Sequence, residues 1–281
     1  MSLIAQDKVK KIQTTSFSLM PFGSIGTGSI STIDDFRKLA PNSSLLPDEL
    51  SGFNSSNYHV SSGSVGTAVL LSFKFRDKSG ADYRPNPILR VGVSYNYNSS
   101  MNNSAYKEER FAYDTLVSVK TGERTAVDSI SNTEYYMDYT SQFVRLDASV
   151  IYRTNPKARW NFYAGFGATF GASISSQTNI NYYQSHSIGP NDDQSTLYIS
   201  NDSYHEGEYE SETIKNKTSL AYSAYIPMGL DFRMANKNEF WQRVHLFYEM
   251  RPSLDMVSIP ELNTHTTVAW QHGFGVKVQW N

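Results

Sequence analysis

The chain has 281 residues, and its 25 basic and 27 acidic residues nearly cancel, so its charge gives no reason to expect nucleic acid as a partner. It has no cysteine, which excludes disulfides, thiolate chemistry and cysteine-ligated metals. It also lacks an apolar run of roughly 18 residues, which excludes a membrane-spanning helix but not a membrane-spanning strand, in which only every second residue meets lipid.

Residues 1–11 read as an N-terminal tail. Within it, Ser2-Leu3-Ile4-Ala5-Gln6 has the small-residue pattern of a signal-peptide end, with cleavage before Gln6. The rest, 12–281, reads as one domain of strands, because apolar residues recur at every second position. The first strand, near 12–28, puts Phe17, Leu19 and Pro21 on one parity, although Pro21 has no N–H for a ladder. The second, near 58–76, sets Val65, Val69, Leu71, Phe73 and Phe75 against Ser64, Gly66, Ser72 and Lys74. In the third, near 85–99, Leu89, Val91, Val93, Tyr95 and Tyr97 alternate with Arg90, Gly92, Ser94 and Asn96. In the fourth, near 137–153, Val144, Leu146, Val150 and Tyr152 alternate with Arg145, Asp147 and Ser149.

The fifth, near 159–176, has the longest pattern. One face reads Trp160, Phe162, Ala164, Phe166, Ala168, Phe170, Ala172 and Ile174; the other is small or polar. A tilted membrane strand needs about 9–11 residues, whereas strands of soluble domains run to about 5–6. The sixth, near 217–234, opposes Leu230 and Phe232 to Asp231 and Arg233. The seventh, near 243–256, opposes Val244, Leu246 and Tyr248 to His245, Glu249 and Arg251. The eighth, near 264–280, opposes Phe274, Val276, Val278 and Trp280 to Gly273, Gly275 and Lys277.

Short, polar connections at 76–84, 153–159 and 234–243 alternate with long ones near 29–57, 100–136 and 177–216. Segments 106–120 and 125–136 read as a hairpin that carries two strands above the membrane. An even number of strands, short turns at one rim and long loops at the other predict an eight-stranded antiparallel transmembrane β-barrel, an up-and-down meander with long extracellular loops. Such a sheet must close, since hydrocarbon offers no partner for an open edge. A soluble barrel would need another layer over these faces, and the sequence offers no helices to supply it.

Two groups of residues follow from parity. Lys74, Arg90, Arg145, Asp147, Asp231, Arg233, Glu249, Arg251 and Lys277 point inward, where eight strands leave only enough room for side chains to fill. An unpaired charge there is costly, so the carboxylates should be shared among the basic groups. Phe75, Tyr152, Trp160, Phe232, Trp241 and Trp280 lie beside the short turns or the C-terminus and form a periplasmic aromatic girdle.

Tyr163-Ala164-Gly165-Phe166-Gly167, Tyr225-Ile226-Pro227-Met228-Gly229-Leu230 and the ending Gly273-Phe274-Gly275-Val276-Lys277-Val278-Gln279-Trp280-Asn281 resemble the small outer-membrane β-barrel proteins of Bacteroidota, the PorT-like group, over roughly 58–281. The resemblance implies a bacterial outer-membrane location.

Chemistry is sparse. His186, beside Ser185 and Ser187, reads as a solvated loop residue. His272 has lipid-facing parity. His245 and Glu249 lie about 13 Å apart on a strand, too far for a metal site. The acidic stretches at 191–193 and 206–212 read as solvated loops. No catalytic, cofactor or metal residue is assigned. The leading expectation is a non-enzymatic structural or binding role, through the loops or the lipid-facing wall, with outer-membrane lipid and other outer-membrane or periplasmic proteins as partners. A lipid-modifying or proteolytic enzyme and a narrow pore for ions or small solutes stand as alternatives.

Overall fold

The computed structural model describes residues 12–27, 31–47, 49–56, 61–76, 83–155, 158–190, 207–235, 237–262 and 264–280. The signal-peptide reading, the acidic stretch at 191–193 and Asn281 fall outside them.

The strands are β1 (Ile12–Thr27), β2 (Asn54–Ser56), β3 (Ser61–Arg76), β4 (Tyr83–Val117), β5 (Arg124–Arg153), β6 (Trp160–Pro190), β7 (Gly207–Lys215), β8 (Leu220–Tyr225), β9 (Met228–Arg233), β10 (Val244–Ser258) and β11 (Thr264–Gln279). They pair antiparallel in the order β1, β3, β4, β5, β6, β8 with β9, β10, β11, and β11 returns to β1 from Ser16↔Gln279 to Thr27↔Val268. The result is an eight-strand ring. β8 and β9 together fill the one position expected at 217–234. Pro227 separates them because it cannot donate to a ladder. The neighbouring groups are still satisfied: Gly165 N–H donates to the Pro227 carbonyl at 3.0 Å and Ile226 N–H to the Pro252 carbonyl at 3.0 Å. Pro21 does lie within a central strand. It faces Thr67 of β3, while the ladder to β11 skips Met20 and Pro21.

The wall is inside-out relative to a soluble domain. Phe162, Phe166, Phe274 and Val276 are exposed on its outer surface, at 62%, 72%, 69% and 43%, while Asp147, Glu249 and Arg251 are 0%, 1% and 2% exposed inside. An apolar surface of this extent is stable against hydrocarbon and not against water. The chain is a membrane-spanning β-barrel.

The hairpin expected over 106–120 and 125–136 is present, and two expectations about the long connections need correcting. First, the described residues of 177–216 are mainly strand and not loop. β4 and β5 run as one hairpin to Val117↔Arg124, and β6 continues to Pro190, with β7 beside it from Gln177↔Lys215. Their far ends carry exposed, mainly polar residues on both sides, so alternation fades there. Second, the described residues of the 29–57 connection form a plug. Its helix α1 (Ile33–Leu39) is capped by Thr32, whose hydroxyl accepts from Asp35 N–H while the Asp35 carboxylate accepts from Thr32 N–H. The helix buries Phe36 and Leu39 against Met101, Met137, Tyr139, Phe143, Ile180 and Ile259.

The lumen wall is apolar at this level because two bulges re-aim the strands. Register slips between Ser99 and Met101 on β4, and Ile174 is the extra residue opposite Gln142 and Phe143. Above them, Met101, Ala105 and Ile180 turn inward. Polar ties hold the plug down. Ser43 Oγ donates to Glu212 at 2.7 Å, Asn216 Nδ2 to the Leu39 carbonyl at 2.7 Å, and Asn103 Nδ2 to the Ser31 carbonyl at 2.6 Å. A second short helix, α2 (Glu239–Arg243), occupies the turn before β10 and exposes Trp241.

Truncating a buried phenylalanine costs about 3–5 kcal/mol. Because Phe36 belongs to the plug and not to the ring, Phe36→Ala should expose Arg37 and Lys38 to limited trypsin digestion. The unboiled protein should still migrate as a compact, heat-modifiable band on a gel.

Candidate functional site

The inward parity that alternation picks out assembles into a layer across the waist of the lumen. Its centre is Glu249 of β10, whose register neighbours are Gly229 on β9 and Gly273 on β11. Glu249 Oε2 accepts from Arg90 Nη1 at 2.5 Å and from the Tyr163 hydroxyl at 2.6 Å, and Oε1 accepts from Arg251 Nε at 2.5 Å. Arg251 in turn donates through Nη1 to Asp147 Oδ2 at 2.8 Å, and the Tyr225 hydroxyl donates to Asp147 Oδ1 at 2.5 Å. Arg90 Nε donates to Ser149 Oγ at 3.0 Å. Two carboxylates, two guanidiniums and two phenols thereby bind β4, β5, β6, β8 and β10 together.

The glycines of the sequence motifs make room for the phenols. A Cβ on Gly229 would lie 2.3 Å from the Tyr163 ring, and one on Gly167 would lie 2.3 Å from the Tyr225 ring. Each tyrosine therefore lies across a bare backbone to reach its carboxylate. Tyr163 and Tyr225 also stack with Arg90 and Arg251, at 5.6 Å and 4.6 Å from guanidinium carbon to ring centre. Neither tyrosine stands out by alternation as part of a charged network. The available signal is the Tyr–Gly pairing across adjacent strands, which is visible only once register is known.

The other inward residues sit above and below this layer. Above it, Arg145 Nη1 is 3.9 Å from Asp255 Oδ1 and its guanidinium lies 5.0 Å from the Phe143 ring centre. Below it, Lys277 Nζ pairs with Asp231 Oδ2, and His245 Nδ1 lies 2.6 Å from Asp231 Oδ1. His245 thus meets Asp231, its near neighbour across the β9–β10 ladder, and not Glu249. Lys74 and Arg233 are partly buried near the short-turn end, and Arg153 joins them there at 7% exposure. Alternation on β5 gives Arg153 inward parity, but its place at the very end of the strand hides its burial.

Cavities flank the layer. Those above it are lined by Arg145, Asp255, Asn96 and Ser64; the one below is lined by Arg90, Tyr163, Lys277 and Arg153. The layer and the plug thus lie at two heights of the lumen.

No protein-family model matches this sequence, and no curated protein does either. Solved structures that superpose on it include neisserial surface protein A, at 12% identity over 96% of this chain and 100% of that one, with a TM-score of 0.37. The attachment invasion locus protein Ail of Yersinia pestis, solved with the heparin analogue sucrose octasulfate, superposes at 13% identity over 94% of this chain and 99% of that one, TM-score 0.27. OmpT, an outer membrane protein of Vibrio cholerae, does so at 9% identity over 93% and 76%, TM-score 0.15. Scores this low fix neither a family nor a role.

The remaining candidates are scattered. Of the expected girdle, Phe75, Tyr152, Trp160, Trp241 and Trp280 are exposed, at strand ends or in the turn of the short-turn rim. The Phe232 ring lies 4.4 Å from that of Trp160. His186 is exposed on β6, opposite Ser131 of β5. His272 is exposed on the outer wall, its Nδ1 2.5 Å from the Tyr248 hydroxyl. Among the described residues no group of three histidines or carboxylates is placed to hold a metal.

Removing one partner of a buried ion pair leaves the other charge uncompensated, at a cost of about 3–5 kcal/mol. Glu249→Gln leaves Arg90 without a carboxylate and Arg251 with Asp147 alone, so its unfolding free energy from urea titration in detergent should fall by an amount in that range, with a lower midpoint. Glu239→Gln, on the exposed turn helix, should leave the midpoint unchanged.

Proposed function

We propose that this is a bacterial outer-membrane β-barrel that works as a binding protein, through the strands and loops it raises above the membrane. The supporting observation is a blade formed by the upper parts of β4, β5, β6 and β7. From 101 to 117, β4 continues for roughly 50 Å along its own direction at about 3.3 Å per residue. β1, β3, β10 and β11 have only 15 or 16 residues and stop far lower.

The blade is polar and charged, yet it presents large apolar groups to water. Phe111 is 60% exposed, Tyr113 63% and Tyr209 65%, and Tyr183 and Val117 are also exposed. These side chains lie beyond the apolar band of the wall, so lipid does not cover them. Exposed aromatic rings on a rigid polar scaffold are the composition of recognition surfaces. Charge pairs stiffen the same region. Arg110 Nε donates to Glu108 at 2.6 Å and the Tyr106 hydroxyl donates to it at 2.8 Å, and these bonds hold the Glu108 carboxyl below its usual pKa. The aromatic residues of the short-turn rim serve as the periplasmic girdle, and the waist layer serves to fix the barrel's shape. A conducting path has less support, because the layer and the plug fill the lumen.

The triple variant Phe111→Ser, Tyr113→Ser, Tyr209→Ser tests this. It should keep the heat-modifiable band. After crosslinking in native membranes, envelope components recovered with the unaltered protein should be lost from the variant. Both proteins should be silent in planar bilayers. Identical recovery from both would overturn the blade's role, and stepwise conductance would favour a pore instead.

A further inference from the structure

We infer that the short-turn end of the lumen holds a binding site for a small monovalent inorganic anion, with Arg153 as its principal ligand. The site is the cavity below the waist layer. Its lining includes Arg90, Arg153 and Lys277 together with Ser16, Ser18 and Ser72. Cations and hydroxyl donors are the groups an anion requires, and few acceptors compete with it.

Among the described residues, Arg153 and Lys74 bring positive charge below the layer that no carboxylate matches. Arg90 is matched by Glu249, and Lys277 shares Asp231 with His245. Arg153 is 7% exposed, and its Nε is buried with no acceptor among the described residues. Its backbone is clamped: Asn86 Nδ2 donates to the Arg153 carbonyl at 2.8 Å, and Arg153 N–H donates to Asn86 Oδ1 at 2.9 Å. A buried guanidinium with an unpartnered Nε and no carboxylate, beside other cations, is expensive unless a negative charge joins it. Asp231 also lines the cavity, but it is already engaged by Lys277 and His245.

The cavity leaves about 20 Å³ for the centre of a water-sized guest, which is room enough for a halide. Arg153 ends β5 and Gln279, also in the lining, ends β11, so entry is from the short-turn rim.

Chloride and bromide are the probes. Crystals of the full chain grown in bromide should show an anomalous peak within contact distance of the Arg153 guanidinium. In detergent, replacing gluconate by chloride at constant ionic strength should raise the unfolding temperature. Arg153→Met, confirmed as folded by its gel shift, should lose both the peak and the chloride response. Absence of the peak in the unaltered protein would overturn the proposal. So would a chloride response that survives in Arg153→Met, since that would be a bulk salt effect.

Discussion

Closure of the sheet through the β1–β11 ladder is the constraint on which everything else rests. Once the last strand bonds the first, no backbone edge is left for hydrocarbon to contact, and the wall has only two environments. Alternate side chains then take opposite fates. Phe162, Phe166, Phe274 and Val276 face outward, while Arg90, Asp147, Glu249 and Arg251 are forced into a space that eight strands barely leave open. Charge inside is tolerable because each carboxylate accepts from more than one donor: Glu249 from Arg90, Arg251 and Tyr163, and Asp147 from Arg251 and Tyr225.

The lumen is therefore layered by chemistry. An apolar plug anchored by Phe36 lies at the long-loop end, an ionic layer of shared carboxylates holds the middle, and a pocket lined by Arg90, Arg153 and Lys277 lies near the short turns. The strands supply the layer, the pocket and the wall that receives the plug from a single inward parity, changed only where a bulge intervenes. The molecule invests its length above the membrane, in β4 to β7, and not in a wider channel.

Most of the barrel is legible from alternation alone, because burial by lipid on one face and by side chains on the other imposes a strict period of two. The inward charges from Lys74 to Lys277 and the outward aromatics follow from the same parity. What stays hidden has physical reasons. The far end of β4, from 108 to 117, is wetted on both sides and carries no alternation. Tyr163 and Tyr225 depend on glycines in neighbouring strands. The plug helix is two turns long, and its apolar residues Phe36 and Leu39 look like isolated residues in a polar loop until the bulges at Met101 and Ile174 turn the lumen wall apolar above Arg145. Thr32 and Asp35, which form its capping box, are the one local signal there.

The chain has no cysteine, so single cysteines can be introduced and spin-labelled without background. Labels placed one at a time from Asn161 to Phe170 in lipid bilayers report collision with dissolved oxygen against a polar nickel complex. Oxygen access should peak at 162, 164, 166, 168 and 170 and drop at each residue between. Uniform access to the nickel complex along the whole segment, or protection of Phe162 and Phe166 from both reagents, would contradict a wall wetted by hydrocarbon.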